Sequence, residues 1–162
     1  MEKNRILDAS RKALSAALLG LLLCALLSCA LPRIAVLHDP LTPEEHINLG
    51  VSYEKKGELD AALEQYDAAS KKLPVAYLYM GNVYFQKNDA NRAEKAYKKA
   101  IDRANDARAC NNLAWLYYTR GEHLEEAEKL ARKAVELNPE AEDFRDTLEK
   151  IIEKRSTVTE GR

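Results

Sequence analysis

The chain has 162 residues and a formal net charge of −1 at pH 7, with 31% charged and 46% hydrophobic residues. A chain of this length and ordinary composition can form one compact domain with additional terminal segments. The near-neutral charge gives no reason to expect nucleic acid or an anionic membrane surface as the main partner, and we expect no nucleic-acid binding.

The first 28 residues have the order of regions that is typical of a secretory signal. Four Lys and Arg residues lie within positions 3–12, an apolar run covers positions 13–27, and the sequence Leu-Leu-Ser-Cys ends at Cys29. These four residues resemble the bacterial lipobox, in which the Cys is diacylated and becomes the new N-terminus. The resemblance implies a lipoprotein signal peptide at 1–28, lipidation of Cys29, and a domain held in the periplasm by its lipid anchor.

The same segment permits a second interpretation. Residues 13–31 are long enough to cross the hydrocarbon core of a membrane, so the segment could remain as an N-terminal transmembrane anchor. Both interpretations place the domain in the cell envelope, outside the cytoplasm. In the lipoprotein interpretation Ala30 follows the lipidated Cys, which by resemblance to enterobacterial lipoproteins favours the outer membrane over the inner membrane.

Residues 29–41 contain the candidate lipidated Cys and an extended linker. Two prolines and the absence of a helical period predict extended chain from residue 30 to residue 41. Residues 34–37 are unusually apolar for a spacer. They could pack against the domain or be added to a sheet edge of a partner.

Seven helices are predicted after the linker. Thr42, Pro43 and Glu45 form the start of the first one, because Thr can cap the helix, Pro suits its first position and Glu completes a capping box. Gly57 and Gly121 end helices, and Asn88 takes the place of a third glycine turn. The predicted ranges are 43–56, 59–72, 75–87, 90–103, 107–120, 124–137 and 140–154.

The first six helices form three pairs in which the same residue types recur. The sequence Leu-Gly before Tyr53 returns as Met-Gly before Tyr84 and as Leu-Ala before Tyr117, each followed by a small Ala in the second helix. This pattern resembles the tetratricopeptide repeat. The resemblance implies an all-α solenoid at 42–155, with repeats at about 43–74, 75–106 and 107–139 and a C-terminal capping helix at 140–154. Residues 156–162 are expected to be a disordered tail.

The resemblance also implies a concave groove lined by the first helix of each repeat. The positions that follow from the motif are Ile47, Val51, Glu54 and Lys55, then Leu78, Asn82, Phe85 and Gln86, then Arg108, Asn111, Trp115, Tyr118 and Thr119. Exposed aromatic and amide side chains suit a protein or peptide ligand. The predicted peptide-binding set is therefore Leu78, Asn82, Phe85, Asn111, Trp115 and Tyr118.

One known kind of peptide recognition is not expected. The dicarboxylate clamp of chaperone-binding members of the family needs Lys and Asn in the first helix, where this chain has Ile47 and Val51. We therefore do not predict recognition of an acidic C-terminus.

Catalysis, metal binding and cofactors are not expected either. His38, His46 and His123 are far apart in the sequence, without the His and Cys spacing of a zinc site, and the glycines form no phosphate-binding loop. Cys110 stands at a packing position, where a buried thiol is expected. We expect neither an enzyme nor a small-molecule substrate.

The sequence therefore predicts a membrane-anchored scaffold that binds a protein or peptide, in cell-envelope assembly or secretion. Two alternatives remain open. Residues 38–66 resemble the repeat segment attached to some papain-like bacteriocin-processing peptidases, so the chain could be an accessory subunit of such an enzyme. It could also be a self-associating structural lipoprotein.

Overall fold

The computed structural model describes residues 39–160, with side chains up to residue 158. This part of the chain forms seven α-helices and no strands. The helices are α1 (Pro43–Lys55), α2 (Leu59–Ser70), α3 (Ala76–Gln86), α4 (Ala90–Ala104), α5 (Ala107–Arg120), α6 (Leu124–Leu137) and α7 (Glu142–Glu160). The predicted all-α fold of three helix pairs followed by a closing helix is confirmed. The predicted signal segment, Cys29 and most of the linker lie outside the described residues.

Local sequence signals set most of the helix ends. Thr42 and Glu45 form the predicted capping box, in which each side chain accepts a hydrogen bond from the backbone N–H of the other residue. Gly57 and Gly121 adopt positive φ angles of 78° and 68°, and Asn88 does so at 57°. These three residues end helices as expected, because a left-handed residue breaks the helical hydrogen-bond ladder.

The helices stack in chain order. Helices α1, α3 and α5 each pack against the helix that follows. Neighbouring pairs pack through the contacts of α2 with α3 and of α4 with α5. Helix α3 also contacts α5, and α5 contacts α7, so the first helices of successive pairs lie on one side of the stack. This arrangement is the helical solenoid that the repeats predict.

Close contact within the first two pairs depends on a glycine that faces a tyrosine. A Cβ atom on Gly50 would lie 2.4 Å from Cε1 of Tyr66, and one on Gly81 would lie 2.4 Å from Cδ1 of Tyr97. Both tyrosine rings are almost completely buried. The small residue of the repeat motif therefore makes room for an aromatic ring from the partner helix.

The third pair is built differently. Alanines, Ala114 and Ala131, stand at the positions that correspond to Gly81 and Tyr97, and both are fully buried. They belong to one apolar cluster with Ile151 of the closing helix, which is also fully buried. Helix α7 thus contributes apolar packing to the pair that has no buried tyrosine in its second helix.

The closing helix departs from its predicted range at both ends. It begins at Glu142 and continues to Glu160, whereas we expected 140–154 followed by a disordered tail. The prediction ended the helix where its apolar residues stop. In the continuation the hydroxyls of Ser156 and Thr157 bond to backbone carbonyls one turn earlier, so these polar side chains are accommodated within the helix.

Candidate functional site

A groove of about 300 Å³ opens on the side of the stack formed by the first helices of the pairs. Three helices supply its walls, and the second helix of the middle pair supplies one ring from below. The lining residues are Glu54 of α1, Asn82, Phe85 and Gln86 of α3, Tyr97 of α4, and Asn112 and Trp115 of α5. We call this surface the groove.

Hydrogen bonds hold an amide pair in place at the floor of the groove. The hydroxyl of Tyr97 donates to Oδ1 of Asn82 at 3.0 Å, and Nδ2 of Asn112 donates to the same oxygen at 2.9 Å. That oxygen is therefore occupied twice, which leaves Nδ2 of Asn82 and Oδ1 of Asn112 as a donor and an acceptor that form no hydrogen bond with the described residues. One donor beside one acceptor is the arrangement that a peptide group can pair with.

A carboxylate is fixed at the α1 side of the groove. Glu54 accepts a hydrogen bond from the Tyr66 hydroxyl at 2.9 Å, and its other oxygen accepts one from Nε2 of Gln86. Burial is the main cause that raises the pKa of Tyr66, and the bond to Glu54 adds to it. The tyrosine therefore remains a neutral hydroxyl that holds the Glu54 carboxylate in one orientation.

Two aromatic side chains give the groove its apolar surface. Phe85 is one of the few large hydrophobic side chains that remain exposed in the described domain. Trp115 is half-buried and stacks on Tyr118, with ring centroids 5.0 Å apart, and the Lys150 ammonium lies 5.6 Å from its centroid. The indole is therefore held by its neighbours while part of it faces the groove.

The structure brings together only part of the predicted peptide-binding set. Asn82, Phe85 and Trp115 line the groove. Leu78 is 2% exposed and packs in the main apolar cluster, so the structure corrects its assignment to the groove. Asn111 is 8% exposed and lines no part of the groove, and the neighbouring Asn112 takes that place.

Tyr118 has a different position from the one expected. Its ring lies beneath the Lys154 ammonium at 4.7 Å, and Lys154 also donates to the Tyr118 carbonyl at 2.7 Å. The side chain therefore supports Trp115 and anchors the closing helix, and it does not line the groove. The offset rule assigned it to the groove because it did not include the packing of α7 against α5.

Tyr97 is a groove residue that is absent from the groove positions predicted from the sequence. A signal for its role was present, since the spacing from Gly81 to Tyr97 equals the spacing from Gly50 to Tyr66. In both pairs the ring lies against the glycine and the hydroxyl bonds to a groove side chain, Asn82 in one pair and Glu54 in the other.

Cys110 is fully buried, and burial raises the pKa of its thiol. A raised pKa disfavours the thiolate, the form that acts as a nucleophile. Among the described residues, no group of three or more His, Cys, Asp or Glu side chains could hold a metal ion. Over the same residues, no helix is long and apolar enough to cross a membrane.

Comparison with known proteins agrees with this geometry. Residues 78–142 match a protein-family model described as "Tetratricopeptide repeat". No curated protein sequence matches the chain.

Three solved structures illustrate the similarity. The first tetratricopeptide-repeat domain of Spaghetti (RPAP3), bound to the HSP90 peptide SRMEEVD, has a TM-score of 0.65 and 21% identity over 75% of this chain and 99% of that one. The first such domain of human RPAP3 has a TM-score of 0.67 and 22% identity over 76% and 100%. The Sgt2 domain from Aspergillus fumigatus has a TM-score of 0.67 and 14% identity over 73% and 82%.

Proposed function

Since this chain carries tetratricopeptide repeats and has their fold, we propose that it is a protein-interaction scaffold whose groove binds an extended peptide segment of a partner protein. The observation that carries the proposal is the amide pair of Asn82 and Asn112, with one donor and one acceptor not bonded to the described residues, in a groove that Phe85 and Trp115 also line. A peptide group can pair with the two amides while its neighbouring side chains lie on the rings.

The aromatic residues supply the contact area. Phe85 and Trp115 line the same groove from neighbouring helices. Large aromatic side chains in partly desolvated pockets contribute most of the binding free energy at many protein interfaces. We therefore propose that Phe85 and Trp115 contact the apolar side chains of the bound segment.

The charge of the groove limits which peptide fits. Glu54 is the only ionisable carboxylate or amine among the residues that line the groove, and both of its oxygens already accept hydrogen bonds. The peptide SRMEEVD, bound by one of the similar structures, is acidic. An acidic residue placed near Glu54 would be repelled, so we propose a neutral or basic segment for this groove.

Site-specific photocross-linking in the native cell tests the proposal. A photoreactive phenylalanine analogue placed at Phe85 is expected to form a discrete adduct with the partner. The same analogue at Leu137, which is equally exposed but lies on α6 outside the groove, is the matched control. An adduct of equal yield at both positions, or at Leu137 alone, contradicts the proposal.

The single tryptophan of the chain allows a quantitative measurement. Peptides selected against the protein are expected to change the fluorescence of Trp115 on titration. Substitution of Phe85 or Asn82 by Ala is expected to raise the dissociation constant by about tenfold or more, the range of interface hot spots. Leu137→Ala should leave it unchanged. If the dissociation constants of the selected peptides are unchanged by Phe85→Ala and by Asn82→Ala, the peptides do not bind in the groove.

We further propose that the domain is attached to the cell envelope through a lipid on Cys29. The support is the sequence order described above, a basic region and an apolar run followed by Leu-Leu-Ser-Cys. A diacylated cysteine carries two chains, which is enough for stable membrane attachment. The scaffold would then present its groove in the periplasm, at the outer membrane, to proteins that are being assembled or secreted.

Mass spectrometry of the mature protein tests the anchor. Cleavage before Cys29 and a diacylglyceryl addition on that residue are expected, together with partition into the detergent phase. The variant Cys29→Ala should lose both, whereas Cys24→Ala should lose neither. A mature protein that retains residues 1–28 without a lipid would instead support the transmembrane anchor.

A further inference from the structure

Helix α4 has a line of cations on one exposed face. Arg92, Lys95, Lys99 and Arg103 follow one another at intervals of three, four and four residues, and all four are exposed. At about 100° per residue these intervals keep the four side chains within one narrow sector of the helix surface. We call this set the basic stripe.

Aromatic rings lie beside three of the four cations of the basic stripe. The Lys99 ammonium and the Arg103 guanidinium lie 5.2 Å and 5.7 Å from the ring centroid of Tyr77, and Arg92 lies 4.8 Å from that of Tyr84. Arg92 also pairs with Asp89 at the start of its helix. The remaining cations of the stripe form no ion pair in the described part of the chain. Their charge is available to a partner.

Helix α7 has a line of carboxylates with nearly the same spacing. Glu142, Asp146, Glu149 and Glu153 follow at intervals of four, three and four residues and are all exposed. None of them forms an ion pair within the described residues. We call this set the acidic stripe.

The acidic stripe faces away from the domain. The side chains that α7 buries are Phe144, Thr147 and Ile151, on the opposite face of the helix. Ile152, beside the acidic stripe, is 37% exposed. This outer face is the place where a further repeat would pack if the solenoid continued.

The two stripes match in length as well as in charge. Each extends over twelve residues, so its first and last charges are eleven residue steps apart, or about 16 Å of helix at 1.5 Å per residue. Counted from either end of α7, three of the four charges fall in register with the basic stripe, and the other differs by one residue, or about 1.5 Å. A parallel and an antiparallel arrangement of the two helices are therefore equally well matched.

We propose that this chain associates with a second copy of itself through the acidic stripe of one copy and the basic stripe of the other. Because the two stripes are different surfaces of one molecule, the contact is head-to-tail and leaves a free stripe at each end. Association can therefore continue beyond the dimer. The groove takes no part in the contact, so peptide binding and self-association are independent.

The strength of the contact should depend on salt. Exposed ion pairs contribute little individually, and ions in solution screen them strongly at high ionic strength. The full-length protein in density-matched detergent is expected to show a sedimentation coefficient that rises with protein concentration at about 20 mM NaCl. At about 500 mM NaCl it should return to the value of the monomer.

Charge reversal provides the decisive test. The variant K95E/K99E reverses two of the four charges of the basic stripe, and E149K/E153K reverses two of the four charges of the acidic stripe. The changed stripe then has no net charge, so each variant alone should associate at least about tenfold more weakly. An equimolar mixture of the two variants should associate again into dimers, since the unchanged acidic stripe of the first variant then meets the unchanged basic stripe of the second. The variant K71E/K72E, with the same change of charge at the end of α2, is the matched control and should behave as the unchanged protein.

Several results would overturn the proposal. A monomeric unchanged protein at low salt is one, and self-association that persists in both charge-reversed variants is another. Loss of association that the mixture does not restore is a third, with circular dichroism showing that both variants are folded. A protein that remains monomeric but binds anionic lipid vesicles through Lys95 and Lys99 would assign the basic stripe to a membrane surface instead.

Discussion

The first two helix pairs and the third pair solve the same packing problem in different ways. In the first two, a glycine accommodates a buried tyrosine ring whose hydroxyl reaches a polar side chain of the groove. In the third, Ala114 and Ala131 replace both residues, and the packing includes Ile151 from the closing helix. The first two pairs therefore couple their packing to the orientation of Glu54 and Asn82.

A second position shows the same difference. Four residues before the small residue of the motif stand His46, Tyr77 and Cys110 in the three pairs. His46 bonds to Gln65 at 2.9 Å and Tyr77 lies beside two cations, whereas Cys110 is fully buried. Equivalent positions of the three repeats therefore occupy the same place in the helix pair, but their side chains form different contacts.

The largest effect is expected where the third pair depends on the closing helix. Ile151→Ala should lower the free energy of unfolding by about 2–5 kcal/mol, because it leaves a cavity in the apolar cluster. Its neighbour Ile152 is partly exposed and serves as the matched control, with an expected loss below about 1 kcal/mol for Ile152→Ala. Chemical denaturation measures both. Equal losses would mean that α7 does not complete the third pair.

A smaller effect is expected at the contact between glycine and tyrosine. Gly81→Ala should destabilise the domain by about 1–3 kcal/mol, since the added methyl group would overlap the buried ring of Tyr97. The reverse change in the third pair, Ala114→Gly, adds no atom and should cost about 1 kcal/mol through helix propensity. Thermal melts of both variants provide the measurement. A more stable Gly81→Ala protein would show that the ring moves away at little cost.

The hydroxyl groups should contribute less than the rings. Tyr97→Phe keeps the packing and removes one hydrogen bond to Asn82, with an expected cost of about 0.5–1.5 kcal/mol. Tyr53→Phe is the control, because the Tyr53 hydroxyl has no hydrogen bond in the structure. Tyr97→Phe should also weaken peptide binding, since Asn82 loses one of the two groups that orient it. If the two variants had the same stability and the same affinity for peptide, the Tyr97 hydroxyl would contribute neither to stability nor to the orientation of Asn82.

At neutral pH the smallest effect is expected from the ionisation of the buried tyrosines, which should change stability only at high pH. Burial raises the pKa of Tyr66 and Tyr97 in the folded protein above that of the unfolded chain, which is about 10. The unfolded chain then loses these protons first, so their contribution is complete below about pH 10 and declines as the pH rises further. The double variant Y66F/Y97F should lose less stability than the unchanged protein between pH 9 and pH 11, measured by denaturation at each pH. Parallel curves for the two proteins would contradict the raised pKa values.

Much of the fold could be predicted from the sequence because its signals are local. Thr42 with Glu45, and the glycines at 57 and 121, determine helix ends through contacts within a few residues. The recurring small residue and tyrosine identify the pairs. The end of α7 was misplaced because its last turns have no apolar period, and only hydrogen bonds along the helix mark them.

The candidate site was predicted less completely. Asn82, Phe85 and Trp115 follow from their offsets in the motif, whereas Leu78 and Asn111 occupy equally periodic positions and are buried. An offset gives the direction of a side chain from its own helix. Whether that direction leads into solvent or into a neighbouring helix depends on how closely the next pair packs.

The sequence by itself determined the all-α class, the three pairs, the closing helix and the glycine positions, because helix periodicity and capping depend on nearby residues. The tertiary structure alone decided that the Tyr97 hydroxyl holds Asn82 and that Asn112 and not Asn111 faces the groove. These features join residues from different helices. Their positions depend on the angle and distance at which the helices pack, which local sequence patterns do not encode.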